Sequence, residues 1–300
     1  MHLIIGSINK IKYCIDDIFL DNHIKLLFYI LIMSITFSSC FYIIKSKFEP
    51  SVYIEWMTNF LSIVNQFNLV IYTDENSFPY IPKVNDHSNI KIVIKPLHEF
   101  YNYKYKDYWI QNHEKNVLLN QRICWEVNML WSEKIAFVHE TIQKQYFETD
   151  FYGWCDIGYF RNRMCDTHTH FLGNWPNPDT IMKLQNDKVH YSFINNDSSY
   201  MNQLFRIIND KNESGLPREP IPADQCSVAG GFFILHKNLI DWWSNTYDSK
   251  LELYFKNGYL VKDDQIVLID CIFSNMTSFQ LYKENLMGYD NWFMFQRLLN

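Results

Sequence analysis

A surplus of positive charge is missing from this chain: 27 Lys and Arg stand against 33 Asp and Glu, leaving a formal net charge of −6. Proteins that grip nucleic acid by its phosphates carry a basic field, so nucleic acid is excluded as the primary partner. Any phosphate the protein handles must be met locally. Paired cysteines are missing too. The seven cysteines, from Cys14 to Cys271, form no CxxC pair and keep no regular spacing. That pattern argues against a disulfide frame or zinc site and for small buried hydrophobes in a reducing, cytoplasmic compartment. In such a compartment the Asn-x-Ser/Thr sequons at Asn196, Asn212 and Asn275 are chance matches. No internal repeat and no low-complexity linker divides the 300 residues, so neither an array nor a disordered tail is expected. What is present is apolar material, 48% of the chain and unusually aromatic, enough for one large domain with a well-buried core.

The N-terminal region poses a choice. From Leu26 to Ile44 nineteen residues carry no formal charge and are bracketed by Lys25, Lys45 and Lys47, the length of a membrane-spanning helix. A single anchor helix over residues 24–44 is therefore one reading, and it would place the protein at a membrane. The second half, "SITFSSCFYIIKSKF", is instead rich in Ser, Thr, β-branched and aromatic residues and runs into "EPSVYIEWMTNFLSIVNQFNLVIYTDE", the strand, helix, strand order of a nucleotide-binding α/β domain. Taking residues 34–44 as a strand leaves only Leu26 to Met33, too short to cross. The strand reading is preferred: residues 1–32 are then an extension and residues 33–300 the domain. No small-residue cleavage site follows the apolar run, which argues against secretion.

Along the rest of the chain, apolar residues at Ile54, Met57, Phe60, Leu61 and Val64 have the spacing of a helix laid on a sheet. "NLVIYTDE" and "NIKIVIKPL" read as strands, Tyr101 to Asp107 as a polar, aromatic loop, and Glu114–Trp131 with Glu133–Tyr146 as two helices or one broken helix. "YGWCDIGYF", "KVHYSFI" and "SVAGGFFIL" read as further strands, and Leu239–Lys256 and Asp263–Phe273 as helices. The expected fold is a single Rossmann-like α/β domain with a mixed, mainly parallel central sheet flanked by helices.

Chemistry concentrates at few places. Asp156 interrupts an apolar strand near its carboxyl end, where open α/β sheets form ligand crevices. A buried acid needs a positive partner, such as a divalent cation carrying a diphosphate; on the structural reading Asp156 caps a turn or pairs with Arg161 or Arg163. In "LVKDDQIVL" one of Asp263 and Asp264 is expected to cap the helix, and the other is free to accept a proton or orient an acceptor hydroxyl. Gly230 and Gly231 permit a bulge, a tight turn or close approach of substrate to the backbone. Asp166, His168 and His170 have i, i+2 spacing that a zinc or iron site uses, within a polar loop that lacks an obvious further ligand.

Several stretches, in order, resemble one family. "YIEWMTNFLSI" leading to "NLVIYTDE", then "LWSEKIAFV", "FYGWCDIGYFR", "VAGGFFILHKN" and "KDDQIVL" resemble the HtrL/YibB-like proteins, which are similar to nucleotide-sugar-dependent glycosyltransferases of the GT-A type. The likeness runs from about Ser34 to the C-terminus. It implies a GT-A-like domain that transfers a sugar from a nucleoside-diphosphate-sugar, UDP-linked by default, to a glycan, glycolipid or protein acceptor with Mn2+ or Mg2+. By position, Asp156 matches the last acid of the metal-binding Asp-x-Asp element, and Trp154 stands in place of the first acid. Thr73 and Asp74 match the base or ribose site, and Lys134 a phosphate or base contact or else a helix-surface lysine. Gly230 and Gly231 match the donor-site strand, and Asp263 with Asp264 the acidic pair, Asp264 being the choice for acceptor activation. Two other readings compete with transfer. One is a catalytically silent nucleotide- or sugar-binding module, the other a metal-dependent hydrolase built on Asp166, His168 and His170.

Overall fold

Strands of this chain are short, and most are buried on both faces. A computed structural model describes residues 35–83, 88–284 and 286–300, which fall within one compact unit, Ser34–Asn300. The elements, in chain order, are β1 (Ile35–Phe41), α1 (Pro50–Leu61), β2 (Asn68–Thr73), β3 (Ile90–Ile94), α2 (Lys106–Lys115), α3 (Trp125–Gln143) and β4 (Phe151–Cys155). They continue with β5 (Val189–Phe193), α4 (Ser198–Asn209), β6 (Phe232–His236), α5 (Ile240–Lys256), α6 (Asp264–Ser274) and β7 (Phe279–Lys283), with short helical turns between.

The sheet order is β3-β2-β1-β4-β6-β5-β7. β1, β2, β3 and β4 run parallel, β5 and β7 run parallel to each other, and β6 is antiparallel to both β4 and β5. This is the expected mixed, mainly parallel α/β sheet. Every residue of β1, β2 and β4 is buried, as expected of strands covered by helices on both sides. Alternation sorts their side chains: Tyr152 and Trp154 of β4 join a core beneath α3, α5 and α6, and Phe151 and Cys155 join one beneath α1 and the C-terminal turn. The expectation of residues 1–32 as an extension falls outside the described residues, as does the start of the apolar segment. Residues 35–41 of that segment form β1, between β2 and β4 in the sheet. Among the described residues no helix is long and apolar enough to cross a membrane. The six described cysteines are all free.

Three local expectations need correction, and two elements lie outside the expectations. The helix break falls at residues 116–124, not at Ser132, because "NVLLNQRIC" turns on backbone bonds of Asn116 and Leu119 and α3 then runs unbroken. Tyr101–Tyr105 is a 3-10 turn leading into α2 rather than an open loop. The strand expected from Ser227 starts only at Phe232, leaving Gly230 and Gly231 at its mouth. α4 and β7 were not expected: "SYMNQLFRIIN" sits in a polar region, and "FQLYK" is a half-covered edge strand with a weak pattern.

Candidate functional site

Chain reversal in the sheet locates the site. From β1 the chain crosses to β2 and β3 on one side, then returns to β4 on the other side of β1. Between the carboxyl ends of two such strands no crossover covers the edge, so a crevice opens there. A cleft of about 240 Å³ lies at this point, between the loops after β1 and β4, α3 and the N-terminal end of α6. Because β6 is antiparallel, its entrance, with Gly230 and Gly231, comes beside the exit of β4.

Asp156 follows β4 directly. Its backbone N–H donates to the Gly231 carbonyl at 2.9 Å, extending the ladder by one residue. Two residues apart on an extended chain, Trp154 and Asp156 share a face, and the Trp154 indole N–H donates to Asp156 Oδ1 at 2.6 Å. Where the resemblance places a first acid, this chain thus has a donor that turns the second acid's oxygen inward.

Lys134 is the centre of the arrangement. Far from being a surface lysine, it rises from the buried face of α3 and is 8% exposed. Its Nζ donates to the Gly230 carbonyl at 2.9 Å and lies 3.2 Å from both Asp156 Oδ1 and Asp264 Oδ2. An ammonium has three protons, and three acceptors surround this one. Burial alone would lower its pKa, but the Asp156 and Asp264 carboxylates more than offset that and hold it above the usual lysine range. Burial pushes Asp264 up to about 6, against the pull of Lys134 and with the repulsion of Asp263 and Asp156. The glycines make room for these acids: a Cβ on Gly230 would sit 2.8 Å from Asp264 Oδ2, and one on Gly231 would sit 2.9 Å from Asp156 Oδ2.

The capping expectation for the acidic pair is corrected. Asp263 occupies the N-cap position of α6 without a side-chain capping bond. Its Oδ2 pairs with Lys262 at 2.8 Å, and its Oδ1 is buried with no hydrogen-bond partner. The structure therefore gathers Lys134, Asp156, Gly230, Gly231, Asp263 and Asp264 around one cleft. Thr73 and Asp74 do not line it. The Thr73 hydroxyl donates to the Phe41 carbonyl at 2.7 Å, and Asp74 Oδ1 accepts from the Ser77 N–H at 2.7 Å. Ser77 Oγ in turn accepts from Ile43 N–H at 2.8 Å. These residues brace the loop after β1 that walls the cleft. Neither Arg161 nor Arg163 pairs with Asp156, the structural alternative for that acid.

Sequence reasoning missed Lys47 and Arg161, which also line the cleft. In the sequence Lys47 reads as one of the charges flanking an apolar run, and Arg161 as an ion-pair partner for Asp156 or the tail of "FYGWCDIGYFR" rather than as a ligand group. The histidine loop does not assemble a metal site with its own acid. Asp166 receives the Arg163 guanidinium on both oxygens, at 2.7 and 3.0 Å, and Arg163 reaches Asp290 at 3.0 Å. Among the described residues, the cluster of potential ligands at this loop is Cys165, Asp166 and Asp290, without His168 or His170.

The residues present at the cleft do not fit a divalent cation held between carboxylates. The position between Asp156 and Asp264 belongs to the Lys134 ammonium, and the three cleft acids are not among the residues that bring ligand atoms within 4.8 Å of one another. No protein-family model matches this chain, and no curated protein matches it in sequence.

Proposed function

We propose that the protein is a nucleotide-sugar-dependent glycosyltransferase whose donor and acceptor meet in the cleft between β1 and β4. The observation that carries this reading is the gathering of Asp156, Asp264 and the Gly230–Gly231 entrance around Lys134 at the switch point of the sheet. The order of the motifs that resemble GT-A enzymes supports it. So do the cleft's aromatic walls, Tyr53 and Trp131 among them, since bases and pyranose rings stack on such side chains.

The chemistry follows from the free oxygens. An acceptor hydroxyl attacks the anomeric carbon of the donor, the bond from that carbon to the diphosphate oxygen breaks, and the nucleoside diphosphate leaves with the electron pair. Asp264 takes the hydroxyl proton. Its Oδ2 faces Lys134, its Oδ1 has no hydrogen-bond partner among the described residues, and a pKa near 6 suits a base working at neutral pH. Asp263 Oδ1, buried beside it without a donor, accepts a second hydroxyl and so orients the acceptor. Lys134 keeps the two carboxylates at fixed positions without adding net repulsion.

The test is release of UDP from UDP-sugars, measured with and without glycan, glycolipid or protein acceptors. Acceptor-stimulated release that Asp264→Asn removes, with UDP binding retained, is the expected result. Nucleotide binding without transfer for any donor would leave a binding module instead.

A further inference from the structure

Two cations at the cleft are not used by its acids. Lys134 answers Asp156 and Asp264, and Lys262 answers Asp263. Lys47 and Arg161 line the same cleft and have no carboxylate within 4.0 Å among the described residues. Lys47, Lys134 and Arg161 stand against Asp156, Asp263 and Asp264 in the lining, but because Lys262, outside the lining, answers Asp263, Lys47 and Arg161 are left without an acid of their own. The complement of such a pair is an anion.

Arg161 is held ready for one. Its Nε donates to the Gly158 carbonyl at 2.8 Å, and its guanidinium lies 4.1 Å over the Trp56 ring and 4.9 Å from that of Phe293. Trp56 is seated directly on Gly158, where an added Cβ would come 2.6 Å from the indole. A guanidinium fixed on an aromatic face loses little freedom on binding, and its terminal N–H groups, which have no protein acceptor among the described residues, match two phosphate oxygens. Lys47 stands on the loop after β1, its Nζ 4.4 Å from the Trp131 ring centroid.

Resting on the glycosyltransferase reading, we propose that Lys47 and Arg161 are the seat of the donor's diphosphate and do the charge work otherwise assigned to a divalent cation on Asp156. The test is calorimetric titration of the full chain with UDP and with inorganic pyrophosphate, in EDTA and in Mn2+. Both probes are expected to bind in EDTA within about threefold of their affinity in Mn2+. Lys47→Gln and Arg161→Gln should each weaken binding by roughly tenfold or more and flatten its salt dependence. Lys47 is exposed, so its replacement leaves the core intact even if Arg161→Gln disturbs Trp56. Binding that needs Mn2+ and survives both substitutions overturns the inference and leaves the transferase reading standing. Metal-free binding through these two residues, with no transfer from any nucleotide-sugar, upholds the inference and removes the transferase reading. No binding of either probe overturns it.

Discussion

Two charge clusters along α6, built on Asp264 and Asp270, use the same parts in opposite proportion. At the cleft, one buried lysine, Lys134, lies between two acids, Asp156 and Asp264. In the second cluster, one fully buried acid, Asp270, lies between two lysines, Lys211 at 2.5 Å and Lys250 at 3.3 Å. Asp270 is also closed by hydroxyls: Ser274 donates to Oδ1 and Tyr254 to Oδ2, each at 2.9 Å. Nothing about it is left to bind. The cleft cluster keeps acceptors in reserve, with Asp263 Oδ1 orphaned and Asp264 and Asp156 each turning one oxygen away from Lys134. A closed polar network ties α5, α6 and the loop before β6 together, and an open one leaves acceptors without a protein donor.

Substitutions test that contrast. Lys134→Met should have the largest effect, because it leaves two acids facing each other without their cation. A loss on the order of 3–5 kcal/mol is expected, read as a fall in thermal midpoint together with lost UDP binding. Asp270→Asn should cost about 3 kcal/mol of stability while leaving UDP affinity in the folded protein unchanged. If UDP affinity falls as well, the two clusters are not separate.

Asp264→Asn should lower transfer by roughly a hundredfold or more with little loss of stability. In the native chain kcat/KM should rise as pH climbs through about 6, where this carboxyl ionises. The linked stability change has the opposite slope. Between the ordinary value of 3.8 and about 6 the folded carboxyl holds a proton that the unfolded chain has released, so its contribution to stability falls as pH rises through that window. Thermal midpoints of wild type and Asp264→Asn, compared from pH 4 to 7, should show the variant with the shallower decline.

Gly230→Ala should act more mildly. The added methyl meets the end of a flexible carboxylate, Asp264 Oδ2, at 2.8 Å, which can swing away from Lys134. Roughly tenfold slower transfer and under about 1 kcal/mol of destabilisation are expected. Smallest of all, His168→Ala should change the thermal midpoint by less than about 0.5 kcal/mol equivalent, and zinc or iron content should be the same in variant and wild type.

Much of this architecture was legible in one dimension. Continuous apolar runs such as "NLVIYT" and "FYGWC" announce doubly covered strands, and their alternation with helical spacing announces α/β order. Single acids and glycines inside such runs, Asp156, Gly230 and Gly231, were visible because burial makes them costly or rules out a side chain. Thr73 and Asp74 stand out for the same reason, yet a polar strand end looks alike whether it faces a ligand or braces a loop, and here it braces the loop after β1. Lys134 illustrates the limit. On α3 its neighbours are a serine, a glutamate and apolar residues, and no local pattern reveals that its ammonium is buried among three acceptors.

By itself, then, the sequence determined which segments become strands and helices, because propensity and hydrophobic period act over a few residues. It also determined which polar residues those segments cannot hide. Only the tertiary structure decided that residues 47, 134, 156, 161, 230 and 264 share one cleft. Their meeting depends on strand order, on the reversed direction of β6 and on the swing of the chain from β3 back to β4, none of which is a local property. Charge pairing followed the same rule. Coulomb energy and desolvation depend on distances of a few ångströms through space, and here those distances join residues more than a hundred positions apart along the chain, Lys134 and Asp264 among them.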